Sequence, residues 1–401
     1  RMDYEVLAGS TDIEISTLVY DSRKVEKASV FVCISGAVSD AHDFIPDVVK
    51  KGAAAVVVEK DVTPIEGVTY IKVDNTRLAL ACMSAAYFDY PAEKIKTIGI
   101  TGTKGKTTTT YMVRSILESA GIKTGLIGTI ESICGDKRIP SANTTPESYR
   151  VQELFKEMVD EGLDAVVMEV SSQALMLHRV SGFTFDIGVF TNLEPDHIGP
   201  NEHASFEEYL ECKAKLFSQC KVGIVNADDE HTPKILEHAT CSIESYGISD
   251  KADIRAKNIT LFHEPGKIGL SYDCEGLVNM PVTLKLPGKF SVYNSLCAIA
   301  VTRHFNVDKD TFVVHSRDFL YTFTSTGNFI GRVSQKGHAM NEHLQISNVF
   351  FGDGVVGLYD FSKNAILRFN LKGQLLSAQK CNIADEDIRP FHIYPWNEGY
   401  I

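Results

Sequence analysis

The 401 residues leave room for two or three domains of about 150 residues each and exclude a single small one. With 44% hydrophobic and 23% charged residues the composition is that of a folding globular chain, and 40 basic against 52 acidic side chains, a net charge of −12, exclude a nucleic-acid partner held by bulk charge. No apolar run approaches the roughly 18 residues that span a bilayer and the first twenty residues lack a signal-peptide pattern, so a cytoplasmic protein without membrane insertion is expected.

In chain order, Val30–Ile34, Ala53–Val58 and Thr69–Val73 read as strands, and Asp43–Lys51 as a helix. A second helix should start with Thr76 as N-cap, bury Leu78, Leu80, Met83 and Ala86, and stop before Tyr90-Pro91. Residues 1–90 are therefore expected to form a small N-terminal α/β domain.

A strand Thr97–Ile100, a glycine-rich turn and a helix Thr107–Ala120 closed by Gly121 open the next domain, placed at 91–312. Gly125–Thr129, Asp164–Val170, Phe185–Phe190 and Val222–Val225 are short apolar runs of the kind buried in a mostly parallel sheet. Strands at Ile268–Tyr272 and Val282–Leu286 and a helix from Tyr293 to about Phe305 follow. From 313 to 401 the texture changes to a β-rich tail, with short apolar runs at 355–359, 365–369 and 374–376 separated by turn residues. The nine cysteines, none in a C-x-x-C pair, read as reduced thiols without a site role.

Gly102-Thr103-Lys104-Gly105-Lys106-Thr107-Thr108 lies between a strand and a helix, the context of a phosphate loop, although its spacing is shorter than the common pattern. Glycines let backbone N–H groups approach phosphates, Lys106 can reach the terminal ones, and the Thr107 hydroxyl can ligate Mg2+. Three later strands end in polar groups: Glu169 with Ser171-Ser172, Thr191-Asn192 running to Asp196-His197, and Asn226 with Asp228. In a doubly wound sheet these ends converge beside the loop, so Glu169 and His197 are candidate metal ligands. The capping-box helix from Ser205 carries Phe206, Leu210 and Phe217 on its inner side; Lys213 shares that side, whereas Lys215 turns to solvent. An inward lysine near a metal site must pair with a carboxylate, lose its proton, or become a carbamate.

Thr101–Thr108, Asn143-Thr144-Thr145-Pro146, Glu169-Val170-Ser171-Ser172, Thr191-Asn192-Leu193 with Asp196-His197, Lys213 with Leu216-Phe217, Asn226-Ala227-Asp228-Asp229 and Gly288 with Tyr293-Asn294 together resemble the Mur ligases. Within that family they look most like the tripeptide synthetases that add the third residue of the peptidoglycan stem. The resemblance runs from about residue 15 to 310. It implies ATP on Gly102–Thr108 with Asn294 at the adenine, and Mg2+ at Thr107, Glu169 and His197. It also implies a carbamylated Lys213, and contacts from Asn143, Thr144, Thr145, Ser171 and Arg179 to the muramoyl dipeptide. Ser22, within Asp21-Ser22-Arg23, matches a uridine contact, and Asp40-Ala41-His42 stands where the family has Asp-Gly-His. The catalytic residues would be Lys106, Lys213 and His197. The substrates implied are UDP-N-acetylmuramoyl-L-alanyl-D-glutamate and a free amino acid, diaminopimelate or lysine, and the protein should be a monomer.

Leu177 stands where a glutamine often contacts substrate, and Ser291 replaces a family asparagine. The tail resembles a propeller blade more than the family's third α/β domain, which supplies an arginine to ATP and receives the amino acid. A remnant that binds nucleotide or UDP-sugar without turnover is therefore an alternative expectation, as is a folylpolyglutamate-synthetase-like ligase.

Overall fold

The computed structural model describes residues 3–36, 39–196, 198–199, 202–264, 267–284, 286–305, 312–316, 319–323, 329–335, 339, 342–343, 346–352, 355–360, 362–363, 365–370, 372–380, 395–396 and 399–400. The chain divides into two compact units, Arg1–Arg114 with Lys123–Ala252 and Tyr293–Val301, and Ser115–Ile122 with Asp253–Val292 and Thr302–Ile401.

The first unit begins with β1 (Glu5–Ala8), β2 (Thr17–Val19), β3 (Ser29–Val32), α1 (Ile45–Lys50), β4 (Ala55–Val58), β5 (Thr69–Lys72) and α2 (Thr76–Tyr87). The strands form one sheet in the order β1-β5-β4-β3-β2, parallel except for β1. Successive residues of a strand face opposite ways, and β4 is apolar on both sides because both are covered. Val56 and Val58 pack with Phe31, Val48 and Tyr70, while Ala55 and Val57 pack with Val30, Val32 and Leu80. Asn75, not Thr76, caps α2: it has extended φ/ψ and its side chain accepts from Leu78 N at 2.9 Å. Thr76 is instead the first helical residue, its N–H and hydroxyl both donating to Glu59 at 2.8 Å. The helix buries Ala79, Leu80, Ser84 and Ala85, whereas Leu78 and Met83 are only partly covered and Ala86 is exposed. Small residues let this helix lie close to its sheet, and the larger apolar side chains flank the contact.

Next come β6 (Lys96–Thr101), α3 (Lys106–Ser119), β7 (Thr124–Ile127), β8 (Glu131–Cys134), β9 (Lys137–Pro140), α4 (Ser148–Asp160), β10 (Ala165–Glu169), α5 (Ser172–Met176), β11 (Phe185–Phe190), α6 (Phe206–Ala214), β12 (Cys220–Asn226), α7 (Thr232–Ile235) and β13 (Ser242–Gly247). Strands β13-β12-β11-β6-β10-β7 run parallel, and β8 and β9 extend the β7 edge as antiparallel hairpins. After β6 the chain proceeds to β7 and β10 on one side and then crosses to β11 on the other. Such a switch opens a crevice beyond the strands' carboxyl ends, where the loops after β6, β10 and β11 meet. Phe155, Met158, Val166, Met168, Phe185 and Phe217 belong to the core beneath it.

In the second unit β14 (Ile254–Glu264), β15 (Lys267–Gly276) and β16 (Met280–Leu284) form an antiparallel meander. The helix α8 (Lys289–Thr302) begins four residues before the point expected from sequence. In the tail, strands at Phe312–Ser316, Phe319–Phe323 and Phe329–Gln335 form one antiparallel sheet. Strands at Ile346–Gly352, Val355–Asp360, Ala365–Asn370 and Leu375–Lys380 form another. Val356, Leu358, Ile366, Leu367 and Phe369 of its two inner strands are buried.

Phe155 stacks edge-on with Phe183, and Phe183 with Phe185, at 5.2 and 4.8 Å between ring centres. Phe155→Ala is expected to destabilise the protein by about 3–5 kcal/mol, read as a lower urea midpoint; a shift near zero would show that this cluster does not set stability.

Candidate active site

Two glycines shape the turn after β6. Gly102 and Gly105 have φ of +144° and +85°, and a Cβ on Gly102 would lie 2.0 Å from the Thr191 hydroxyl oxygen. That closeness brings the end of β11 against the loop. Thr103 N donates to Asn192 O at 2.9 Å, Lys104 N to Asn192 Oδ1 at 2.9 Å, and Asn192 Nδ2 returns a bond to Lys104 O at 3.0 Å. Thr191 adds a hydroxyl bond to the same Lys104 carbonyl at 2.8 Å. The Lys104 side chain points outward to Glu194, and Thr108 is exposed on the first turn of α3.

Lys106 curls over this loop, its Nζ donating to Gly102 O at 2.9 Å and Thr103 O at 3.0 Å. Burial pushes its amine pKa down, with Glu169 and Asp196 pulling the other way. Thr107, one residue on, donates its hydroxyl to both oxygens of Glu169, at 2.9 and 3.0 Å. Glu169 ends β10, is 1% exposed, and also accepts Thr129 N at 2.9 Å and Thr129 Oγ1 at 3.0 Å. A buried carboxylate beside hydroxyl oxygens is a donor set suited to a hard divalent cation. His197 lies outside the described residues, and among the described residues no three His, Cys, Asp or Glu side chains cluster for a metal.

Ser205 caps α6 by accepting from Glu208 N at 3.2 Å, while the Glu208 carboxylate takes the N–H of Ala204 rather than that of the cap. The helix turns Tyr209, Leu210, Cys212 and Lys213 inward and leaves Lys215 exposed. Lys213 is 1% exposed; its Nζ donates to Gly102 O at 3.0 Å and sits 4.4 Å from the centre of the Tyr209 ring. The Tyr209 hydroxyl is 3.0 Å from that of Thr103, tying α6 to the loop. Burial holds the Lys213 amine well below the usual lysine range, and the charge of Lys106 acts in the same direction.

A cavity of about 170 Å³ joins these groups to a second set. Its walls include Lys106 and Lys213 together with Asn143, Thr144, Thr145, Ser171 and Arg179. Thr145 is the hinge of this wall: its hydroxyl donates to Glu169 O at 2.8 Å and accepts from Ser171 N at 3.0 Å, while its carbonyl accepts from Arg179 at 3.2 Å. Asn294 of α8 stands at the other end of the loop, where a Cβ on Gly105 would lie 2.6 Å from its Oδ1. Its neighbour Tyr293 donates to Asp228 at 2.9 Å. Ser22 is not a wall of this cavity; it opens a turn capped by Asp21, and its carbonyl accepts from Lys51 at 2.7 Å. Sequence reasoning missed Thr129, which bonds Glu169, and Gln173 and Tyr209, which also line the cavity. Only Tyr209 left a signal, standing one helical turn before Lys213 and thus on the same face.

Residues 100–302 match the model of the Mur ligase middle domain and residues 14–88 that of the Mur ligase family, catalytic domain. The chain belongs to the Mur ligase family. It is 45% identical over 297 residues to UDP-N-acetylmuramoyl-L-alanyl-D-glutamate--2,6-diaminopimelate ligase 1 of Clostridium acetobutylicum, covering 74% of this chain and 61% of that protein. To ligase 2 of the same organism it is 36% identical over 350 residues, 86% of this chain and 70% of the relative. A solved structure of a UDP-N-acetylmuramoyl-L-alanyl-D-glutamate--2,6-diaminopimelate ligase superposes with a TM-score of 0.66 at 22% identity, over 80% of this chain and 69% of the other. This Mur ligase chain spans about three fifths to seven tenths of the length of the curated relatives it matches. Residues 299–397 match a different model, a 6-bladed beta-propeller.

A lysine whose pKa is lower folded than unfolded leaves the unfolded chain binding more protons between the two values. Stability therefore rises with pH through that window and levels off above the ordinary lysine pKa. In carbonate-free buffer Lys213→Met is expected to stabilise the protein by about 1–3 kcal/mol at neutral pH and to flatten this rise. Urea unfolding at several pH values measures both; an unchanged slope would mean that burial of the Lys213 amine costs nothing.

Proposed function

We propose that this protein is an ATP-dependent amide ligase of peptidoglycan precursor synthesis, acting on UDP-N-acetylmuramoyl-L-alanyl-D-glutamate. The observation that carries this reading is the cavity in which Lys106 of the glycine-rich loop and buried Lys213 face Asn143, Thr144, Thr145, Ser171 and Arg179. A phosphate loop alone would fit many nucleotide enzymes; a loop sharing a cavity with a polar, arginine-bearing wall fits transfer of phosphate to a bound carboxylate. The relatives are named as 2,6-diaminopimelate ligases, which favours 2,6-diaminopimelate as the incoming amino acid.

In the reaction, a substrate carboxylate oxygen attacks the γ-phosphorus of ATP and ADP departs, leaving an acyl phosphate. The amine of the amino acid then attacks the acyl carbon, phosphate leaves and the amine loses a proton. The backbone N–H groups of Gly102–Thr108 cradle the phosphates, Asn294 holds the adenine, and Lys106 follows the negative charge as it spreads. Lys106 would exchange its two loop carbonyls for phosphate oxygens. Thr107 and Glu169, with His197 and a carbamylated Lys213, would hold Mg2+, which supplies charge neutralisation at the phosphates. Lys213 suits carbamylation: burial disfavours its protonated form, so the neutral amine can attack the carbon of CO2 and release a proton to solvent, leaving a carbamate anion beside the loop. Arg179, Asn143, Thr144, Thr145 and Ser171 would fix the muramoyl dipeptide, and Ser22 its uridine.

On this reading residues 1–90 hold the UDP end, 91–312 hold ATP, and 313–401 do not serve as the acceptor domain. The protein would act as a cytoplasmic monomer; no helix among the described residues is long and apolar enough to cross a membrane.

Incubating the purified 401-residue chain with ATP, Mg2+ and the dipeptide nucleotide, with and without diaminopimelate or lysine, tests the whole scheme. Binding of both nucleotides and phosphate release by hydrolysis of the acyl phosphate, with little amide formation, are expected for this chain alone; robust incorporation of either amino acid would show that residues 313–401 take part in the acceptor step. Lys106→Ala should weaken ATP binding at least roughly tenfold, measured by calorimetry, and unchanged affinity would remove the phosphate-loop assignment. Lys213→Ala should lose phosphate release and regain part of it on adding a short carboxylate, and a variant as active as the parent would exclude the carbamate.

A further inference from the structure

Glu147 stands between two arginines. It caps α4 by accepting the Ser148 N–H at 3.3 Å, and its Oε2 lies 3.1 Å from Arg77 Nη1 and 3.6 Å from Arg179 Nε. All three side chains are only 19% exposed. Arg179 walls the cavity and donates to Thr145 O, yet its buried Nε has no hydrogen-bond partner among the described residues. Arg77, by contrast, is anchored outside the cavity. It sits in the first turn of α2, which Asn75 caps and Glu59 holds through Thr76. That helix is fixed against α4 by aromatic rings, Tyr149 lying 5.1 to 6.2 Å from Phe88, Tyr20 and Tyr87.

Two guanidinium groups and one carboxylate leave one positive charge over, and the geometry decides which arginine keeps it. The closer, hydrogen-bonded contact goes to Arg77, the longer one to Arg179. We propose that Arg77 is a positioning residue: by holding Glu147 it keeps Arg179 uncompensated toward the cavity, ready for a carboxylate of an anionic ligand. Without Arg77 the Glu147 carboxylate could close on Arg179 as a two-bonded pair and cancel the charge that the ligand needs. This rests on the function proposed above, in which that ligand is the D-glutamyl end of the muramoyl dipeptide. Because Arg77 belongs to the N-terminal α/β layer and Arg179 to the central one, the same triad ties the layer expected to hold the uridine to the group that receives the dipeptide.

Calorimetric titration of the full chain with UDP-N-acetylmuramoyl-L-alanyl-D-glutamate, and separately with UDP, tests the triad. Arg77→Met should weaken the dipeptide nucleotide roughly tenfold and leave UDP unchanged, while Arg77→Lys should stay near the parent. Adding Glu147→Gln to Arg77→Met should restore most of the loss, because the neutral amide no longer competes for Arg179; a merely structural role would not be rescued by a second substitution. Equal weakening for both ligands, unaltered binding of the dipeptide nucleotide by Arg77→Met, or failure of the double variant to recover would overturn the inference. A parent chain that does not bind the dipeptide nucleotide at all would overturn the functional reading, and this inference with it.

Discussion

Two lysine amines, one buried and one partly buried, share one carbonyl oxygen. Gly102 O accepts from Lys106 at 2.9 Å and from Lys213 at 3.0 Å, so the two nitrogens lie within about 6 Å of each other. At an effective dielectric of about 20, two protonated amines that close repel by about 3 kcal/mol, on top of the cost of taking each out of water. Burial moves both pKa values down, and for Lys213, the more buried of the two, the charge of Lys106 adds to it. Such a pair is stable in three ways: one amine gives up its proton, anions arrive between them, or one amine becomes an anion. ATP phosphates are the second way and a carbamate is the third, so the tension in this corner matches the chemistry proposed for it.

The rest of the central layer serves to create that corner. Gly102 can hold its carbonyl toward both lysines only because it lacks a side chain at +144° and lets Thr191 and Asn192 press on the loop. Asn192 then grips Lys104 through both ends of its amide, which fixes the turn. On the other flank Thr145 passes the position of Glu169 on to Ser171 and Arg179. The loop, the carboxylate and the polar wall are thus one hydrogen-bonded assembly spanning β6, β10 and β11. Displacing any one strand end would move all three.

Much of this was legible in the sequence because the signals were local and periodic. Apolar runs of four to seven residues marked β4, β6, β10, β11 and β12, since parallel strands covered on both faces need little else. The seven-residue offset from Phe206 placed Lys213 on the inner face of α6, and the structure buries it while leaving Lys215 exposed. The face of α2 was misread for a physical reason: close approach to a sheet selects Ala and Ser, which hydrophobicity undervalues. Strands β8 and β9 went unnoticed because antiparallel strands mix polar residues into their pattern, and β13 because Ser242, Glu244 and Ser245 leave it no apolar run. Thr129 was invisible, since a threonine after a strand gains meaning only when Glu169 is found across the sheet. Arg77 and Glu147, seventy residues apart, carry no pattern at all; only packing of α2 on α4 brings them together.

The tail calls for a different argument. Its four-stranded sheet is antiparallel, and its two inner strands bury Val356, Leu358, Ile366, Leu367 and Phe369, whereas the outer strand Leu375–Lys380 is almost wholly exposed. Four antiparallel strands with apolar inner members are the unit of a propeller blade, in agreement with the family model over residues 299–397. A blade buries its faces against neighbouring blades, and its edge backbone groups are open to pairing. The described strands of this segment are short and antiparallel, whereas the strands of the ligase layers beside the glycine-rich loop are parallel and covered on both faces, so the two parts of the chain answer to different physical demands.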